Sequence, residues 1–229
     1  PVREGPVTLN PLRNFLTAMI NFERVRACEE LELFIAATNV RTGNGKLFRR
    51  QEMDVQRLVA SACLPTVFAA VEVEGEMYWD GSYVANPPLA PLMEHSKASD
   101  VIIVQNNPIA RSDMPRNMAD IANRANEIAF NISFIREVSA LQYLNGVPEE
   151  NRGAGMTPAT MHLHLISGNE QLAEHGISAK FNAEMPFLQK LHDHGVAAAD
   201  RWLRENGQHI GHKSTLDVMP VFFPDKMQG

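Results

Sequence analysis

An uninterrupted apolar run at positions 33–37 (Leu-Phe-Ile-Ala-Ala) constrains the fold more than any other feature of this sequence. A strand with one face in water alternates apolar and polar side chains, whereas a strand covered on both faces does not. The segment 31–39 therefore predicts a buried strand of the kind found in parallel sheets. A β-branched run at 101–104 (Val-Ile-Ile-Val) predicts a second buried strand.

Helical patterns alternate with these strands. Apolar residues recur every three or four positions within residues 117–144 and within residues 185–205, which predicts two long helices. The face of the first helix that we expect to be buried comprises Met118, Ile121, Ala125, Ile128, Ile132, Ile135, Val138 and Leu141. The face expected in solvent includes Asn123, Glu127, Asn131 and Glu137. With a third strand predicted at 161–166, this order indicates an α/β fold with a mainly parallel sheet.

Composition excludes several classes of protein. The chain has 229 residues and a net charge of −6, so it lacks the basic surface that nucleic-acid binding requires. No apolar run approaches the length of a membrane span, and the sequence shows no signal peptide. We therefore expect a protein that is cytoplasmic or peripheral to a membrane. Cys28 and Cys63 are predicted to be reduced, buried thiols.

The stretch from Glu74 to Leu89 has the features of a catalytic segment. A short strand at 77–79 ends in two aromatic residues, and Asp80 follows them directly. Gly81 allows a sharp turn beside this carboxylate, and a second turn is predicted at 86–88 (Asn-Pro-Pro). A carboxylate held by a rigid turn at a strand end suits catalysis, although the same arrangement also serves as a helix cap or a plain turn.

Other candidate groups have simpler interpretations. Among the eight histidines, the pairs at 162 and 164, 192 and 194, and 209 and 212 lack a third ligand at a spacing typical of metal sites. We interpret them as surface histidines or as core histidines with hydrogen-bond partners, with a metal site as the alternative. No Gly-x-Ser-x-Gly motif occurs in the sequence, and residues 42–46 form no phosphate-binding loop. No cofactor is predicted.

Residues 59–89 (VASACLPTVFAAVEVEGEMYWDGSYVANPPL) resemble the second half of patatin-like phospholipases. That family has an Ala-Ser-x-x-x-Pro segment, a short β-ribbon, an Asp-Gly-Gly or Asp-Gly-Ala sequence, and then a Val/Ala-Asn-x-Pro turn. Residues 34–48 (FIAATNVRTGNGKLF) also resemble the family, and the resemblance is firm over about residues 10–108. The nearest match is a bacterial branch that carries an additional C-terminal extension.

The resemblance implies a three-layer α/β/α fold and a serine hydrolase with a Ser–Asp dyad. The serine of the dyad attacks an acyl ester, and the aspartate, matched here by Asp80, takes its proton. The resemblance also divides the chain into two parts. Residues 1–148 would be the C-terminal part of the catalytic domain, and residues 149–229 would be the extension that packs on it.

Two departures from the family pattern stand out. Ser82 occupies a position at which the family has Gly or Ala, a small change that need not disturb the turn. More seriously, the nucleophile elbow and the oxyanion loop are missing, and the chain starts at Pro1 in a loop-like segment. We therefore expect a fragment, made by proteolytic processing or in a nicked chain, that is inactive alone. An N-terminal fragment carrying Gly-x-Ser-x-Gly would be its partner, and without it the strand at 33–37 would present an exposed edge.

Three hypotheses follow. The first is a lipid acyl ester hydrolase, of the phospholipase A or lysophospholipase type, that is active only when complemented. The second is a non-catalytic binding or scaffold module with the same fold, and the third is a histidine metal site. Phospholipid, lysophospholipid, neutral lipid and polyester substrates all remain open. The helix at 117–144 and the C-terminal helix could cover the acyl pocket or contact a second copy of the molecule.

Overall fold

The computed structural model describes residues 11–65, 68–95, 98–111, 114–146, 161–168 and 182–216. The chain forms two compact units, residues 1–92 and 93–229, and each is described by itself. The apolar residues 221–223 lie outside the described residues, and the short segment 178–182 lies almost entirely outside them.

The first unit contains a four-stranded antiparallel sheet with short helices. Its elements in chain order are α1 (Pro11–Met19), α2 (Phe22–Ala27), β1 (Phe34–Asn39), β2 (Gly45–Arg49), α3 (Val55–Ser61), β3 (Val71–Val73), β4 (Glu76–Asp80) and the beginning of α4 (Leu89–His95). The strand order is β2-β1-β4-β3. Both of the sheet's tight turns join neighbours in sequence, so β1–β2 and β3–β4 are hairpins.

Local chemistry explains these elements. The side chain of Asp54 accepts a hydrogen bond from Arg57 N at 2.8 Å and caps α3, as the sequence indicates. In the β1–β2 turn, the Asn39 side chain accepts from the backbone N–H groups of Arg41 and Thr42, each at 3.0 Å. The sheet packs on α3, and its buried core comprises Ala37, Phe48, Met53, Ala60, Val73 and Tyr78.

The strand β1 corrects two of our expectations. It is central, but it runs antiparallel to both neighbours: Ala37 lies opposite Lys46 of β2 and opposite Asp80 of β4. A continuous apolar run indicates that both faces of a strand are covered, but it does not indicate whether the neighbouring strands are parallel or antiparallel. The inference of a parallel sheet at this strand was therefore wrong. The expectation of an exposed edge at 33–37 was wrong for one edge only: β2 pairs with residues 34–38, whereas β4 pairs with no more than residues 37–39 on the other edge.

The second unit contains a parallel pair of strands and two long helices. Its strands are β5 (Asp100–Gln105) and β6 (His162–Ser167), and its long helices are α5 (Met118–Gly146) and α6 (Met185–Asn206). The strands pair in register from Asp100 opposite His162 to Gln105 opposite Ser167. Beyond β6, Thr215 N and Leu216 N both donate to Leu163 O at 3.0 Å, so this segment lies along the second edge of β6.

The orientation of α5 differs from the predicted one. Its buried positions are Glu127, Phe130, Asn131, Phe134 and Val138. Four side chains expected in the core are instead exposed: Met118 (79%), Ile121 (47%), Ile128 (51%) and Ile132 (44%). Helical periodicity identifies which residues share a face, but the partners of Glu127 determine which face turns inward.

These partners make Glu127 a buried ion cluster. Arg111 donates two hydrogen bonds to its carboxylate, from Nε and from an Nη, both at 2.8 Å. Arg124 lies 3.3 Å from the carboxylate, and the Asn123 amide donates to it at 3.0 Å. Charge pairing together with hydrogen bonds makes burial of a carboxylate tolerable, so the face with Glu127 can lie inside.

The chain therefore has an α/β fold that combines an antiparallel sheet with a parallel pair. The parallel arrangement predicted for 101–104 and 161–166 is confirmed in β5 and β6. The predicted domain boundary after residue 148 lies outside the described residues, and it stays a prediction, as does the three-layer arrangement. No helix among the described residues has the length and apolar character that a membrane crossing needs.

Candidate active site

Asp80 is the last residue of β4, and three backbone interactions hold it. Its N–H donates to Cys63 O at 2.9 Å, which ties the strand end to the segment after α3. Its carbonyl oxygen accepts a hydrogen bond from the Thr38 hydroxyl at 2.7 Å. Its pairing with Ala37 places it beside the central strand. Because these contacts come from separate segments, the position of the Asp80 Cα is set by tertiary structure.

The turn after Asp80 orients its carboxylate. Residues Gly81–Tyr83 form one turn of 3₁₀ helix, and Asp80 is its N-cap. One carboxylate oxygen, Oδ1, accepts a hydrogen bond from Ser82 N at 2.8 Å. Ser82 contributes this bond through its backbone, so a serine side chain at this position leaves the turn intact. Within the described part of the chain, no residue donates a hydrogen bond to the second oxygen, Oδ2.

Gly81 lies in contact with the backbone of β1. A Cβ atom at this position would be 2.1 Å from the carbonyl oxygen of Ala36 and 2.8 Å from the Ala36 Cβ. Ordinary carbon–oxygen contacts are about 3.3 Å or longer, so no side chain fits. The requirement for glycine therefore comes from close packing of the turn on β1. The sequence predicts a glycine turn here, but not the contact that demands it.

Two titratable groups lie within the electrostatic reach of Asp80. Burial raises the pKa of the Cys63 thiol, and the negative charge of Asp80 raises it further. Burial and the same carboxylate also raise the pKa of the Tyr83 phenol. Both groups therefore stay neutral around neutral pH. Sequence reasoning proposed Asp80 but missed Thr38 and Cys63. Thr38 approaches Asp80 through the antiparallel register of β1 with β4, and Cys63 approaches it through the segment after α3.

This geometry suits a general base. One carboxylate oxygen is held by a backbone N–H, so the side chain cannot rotate freely. The second oxygen has no described donor and can accept a proton from a substrate or from a nucleophile. Asp80 and Trp79 are half-buried, so the carboxylate is partly shielded from water yet accessible.

The histidines serve other purposes where the structure describes them. His164 is fully buried: its Nε2 lies 3.0 Å from an Asp100 carboxylate oxygen, and its Nδ1 lies 2.8 Å from the Thr215 hydroxyl. It is therefore a core histidine with hydrogen-bond partners. His192 is exposed beside Asp193 on α6. No cluster of three or more His, Cys, Asp or Glu side chains suited to a metal ion occurs among the described residues.

The strand–turn architecture places an oriented carboxylate at a strand end, an arrangement that suits a general base. A model of the patatin-like phospholipase family matches residues 5–93, which supports the resemblance of this part of the chain to that family. The matched segment contains β1–β4 and Asp80. Members of the family are lipid acyl hydrolases, and at that coarse level the segment is of hydrolase type. No curated protein matches the chain.

Proposed function

We propose that this chain supplies the general base, Asp80, of a lipid acyl ester hydrolase that uses a Ser–Asp dyad. The observation that carries the proposal is the arrangement of the Asp80 carboxylate, with Oδ1 held by Ser82 N and with Oδ2 available. The match of residues 5–93 to a family of lipid hydrolases supports it. The nucleophilic serine would come from a polypeptide carrying Gly-x-Ser-x-Gly, a motif that the printed sequence lacks.

In the proposed reaction, Oδ2 of Asp80 takes the proton of the serine hydroxyl as the serine oxygen attacks the acyl carbonyl carbon. The protonated carboxyl then donates this proton to the departing alcohol, and an acyl-serine remains. A water molecule then loses a proton to Asp80 and attacks the acyl carbon. Asp80 returns this proton to the serine oxygen as the bond between that oxygen and the acyl carbon breaks, which releases the fatty acid and restores the serine hydroxyl. Asp80 thus acts as base and as acid in turn.

The test requires an assembly in which this chain is joined or bound to the nucleophile-bearing polypeptide. Hydrolysis of a p-nitrophenyl acyl ester would be compared between wild type and Asp80→Asn, which keeps the shape and removes the base. We expect kcat to fall by about 10³-fold or more, within the range that general-base catalysis contributes together with positioning. Asp193→Asn, on the exposed face of α6, is the matched control and should leave kcat unchanged.

Near-wild-type hydrolysis by the folded Asp80→Asn variant would contradict the proposed role. The absence of a Gly-x-Ser-x-Gly motif favours one second candidate, a binding module that keeps the fold without the chemistry. Mass spectrometry of the native assembly separates the two. If no partner peptide with that motif is present, and if the assembly hydrolyses no acyl ester, the binding module is the better account.

A further inference from the structure

We propose that the exposed apolar face of α5 pairs with the same face of a second copy of this chain, in an antiparallel arrangement. We name this face the α5 stripe and define it as Met118, Ile121, Ala125, Ile128 and Ile132. All five residues are exposed, and the four large ones are 44–79% exposed. Contiguous apolar surfaces of this kind mark interaction sites more often than isolated exposed side chains do.

The spacing of the stripe indicates that its occupant is a helix. Its members follow one another at intervals of three, four, three and four residues, which is the heptad seam of paired helices. From Met118 to Ile132 the seam is about 21 Å long. Arg136 occupies the same face one turn later and ends it. Two of the neighbouring side chains along the seam, Ala122 and Ala129, are small, so a second helix can approach closely.

The stripe is also complementary to itself. A two-fold axis placed between residues 126 and 127 brings Ile121 opposite Ile132 of the second copy. The same axis brings Ala125 opposite Ile128 of the second copy, so that a small side chain faces a large one. Alternation of small and large side chains across a helix pair gives dense packing. Antiparallel helices also oppose their macrodipoles favourably. Met118, the fifth residue of the stripe, lies opposite Ile135 of the second copy. A second copy is therefore an occupant that satisfies spacing and side-chain size together.

The opposite face of α5 prevents the helix from turning the stripe inward. Glu127 is buried with Arg111 and Arg124, and Asn131 donates to Pro108 O at 3.1 Å. Rotating α5 so that the stripe faces the interior would expose the Glu127 ion pairs to solvent. It would also place the four large apolar side chains of the stripe against Arg111 and Pro108 O, which would lose their partners. Covering the stripe with a second molecule removes apolar surface from water without disturbing the ion cluster.

The first test is the oligomeric state, measured by sedimentation velocity between about 1 and 100 µM, a range that suits a single helix–helix contact. We expect a dimer of twice the 25.5 kDa chain mass. Ile128→Glu places a charge at the centre of the seam and should raise the dissociation constant by at least about 100-fold. Val196→Glu, at a 47% exposed apolar residue of α6, is the matched control and should remain dimeric.

The second test is disulfide trapping in a Cys28→Ser background, with one chain carrying Ile121→Cys and another carrying Ile132→Cys. We expect the mixed disulfide to form faster than either same-residue disulfide. Antiparallel pairing separates residue 121 from its counterpart by about 16 Å along the helix, which no disulfide can span. This readout holds even if a charged variant folds poorly.

Three results obtained with this chain alone would overturn the proposal. They are a monomer at every concentration, a dimer that survives Ile128→Glu, and preferential formation of same-residue disulfides. A fourth is an assembly in which one copy of this chain binds the nucleophile-bearing polypeptide and Ile128→Glu releases that polypeptide. The α5 stripe would then be an interface with another segment.

Discussion

Replacing Gly81 by alanine should unfold the turn that orients Asp80. The added Cβ would lie 2.1 Å from Ala36 O, whereas a relaxed carbon–oxygen contact is about 3.3 Å, so the turn and β1 must separate by about 1 Å. Neither side can yield easily. The Thr38 hydroxyl and the β1–β4 pairing hold the strand, and the Asp80–Cys63 hydrogen bond holds the turn.

Overpacking of a close-packed site costs about 1–3 kcal/mol, and a collision with backbone on both sides belongs at the upper end. We therefore expect Gly81→Ala to lower the free energy of unfolding by about 3 kcal/mol. For a chain of this size, such a loss corresponds to a fall in Tm of about 6–12 °C. In the catalytic assembly, a displacement of Asp80 by about 1 Å should reduce kcat by about 100-fold.

Urea unfolding followed by circular dichroism measures the first effect, and ester hydrolysis by the complemented assembly measures the second. Gly195→Ala is the control. Gly195 lies inside α6 with open space around its Cα, and alanine there should stabilise the chain by about 0.5–1 kcal/mol. The two Gly→Ala changes should thus have opposite signs. A Gly81→Ala variant within about 0.5 kcal/mol of wild type would refute the inferred contact, since the collision alone exceeds that.

Three further predictions concern buried polar groups. Glu127→Gln should lower the free energy of unfolding by about 2–3 kcal/mol in urea titrations, because Arg111 and Arg124 lose their carboxylate partner. The loss is moderated because both arginines keep partial access to water. A loss below about 1 kcal/mol would contradict the ion cluster. Thr38→Val should cost about 1 kcal/mol by the same assay and Thr38→Ser much less, because only the hydroxyl donates to Asp80 O. The Ser99 hydroxyl, then Gly211 N–H, then His164 hold the pKa of Asp100 well below its usual range. A carboxyl whose pKa is depressed in the folded state stabilises the fold fully above its pKa in the unfolded state, near about 4, and this stabilisation is lost as the pH falls further. Asp100→Asn should therefore weaken the dependence of the free energy of unfolding on pH, measured between about pH 2 and 6.

Sequence patterns located most of the elements because their causes are local. The α3 helix begins after Asp54, since a side-chain cap and the residue that it caps are neighbours in the chain. The β1–β2 hairpin and the turn after Asp80 likewise depend on residues a few positions apart. Family motifs identified Asp80 for a similar reason, because Trp79, Asp80 and Gly81 are consecutive. The family resemblance of residues 5–93 was therefore predictable from the sequence and is confirmed by the match.

Strand direction and helix orientation were not predictable in this way. The apolar run at 33–37 correctly indicated a strand, but only Ala37 of the run is buried and the other four residues are half-buried. Its antiparallel pairing with β4, however, joins residues about 40 positions apart in the chain. The face of α5 that turns inward depends on Arg111, a residue outside the helix whose guanidinium can neutralise Glu127. Hydrophobic periodicity alone predicts that the isoleucines are buried, because it takes no account of the stabilisation that a carboxylate gains from a paired guanidinium.

The sequence by itself determined the α/β class of fold and the family resemblance of its first part, and it proposed Asp80 as the candidate base. Only the tertiary structure decided how that residue is held, because Thr38, Cys63 and Ala36 approach it from distant positions in the chain. The structure also decided that the α5 stripe lies in solvent. Both features depend on contacts between segments far apart in sequence, and such contacts produce no periodic pattern in the sequence from which they could be predicted.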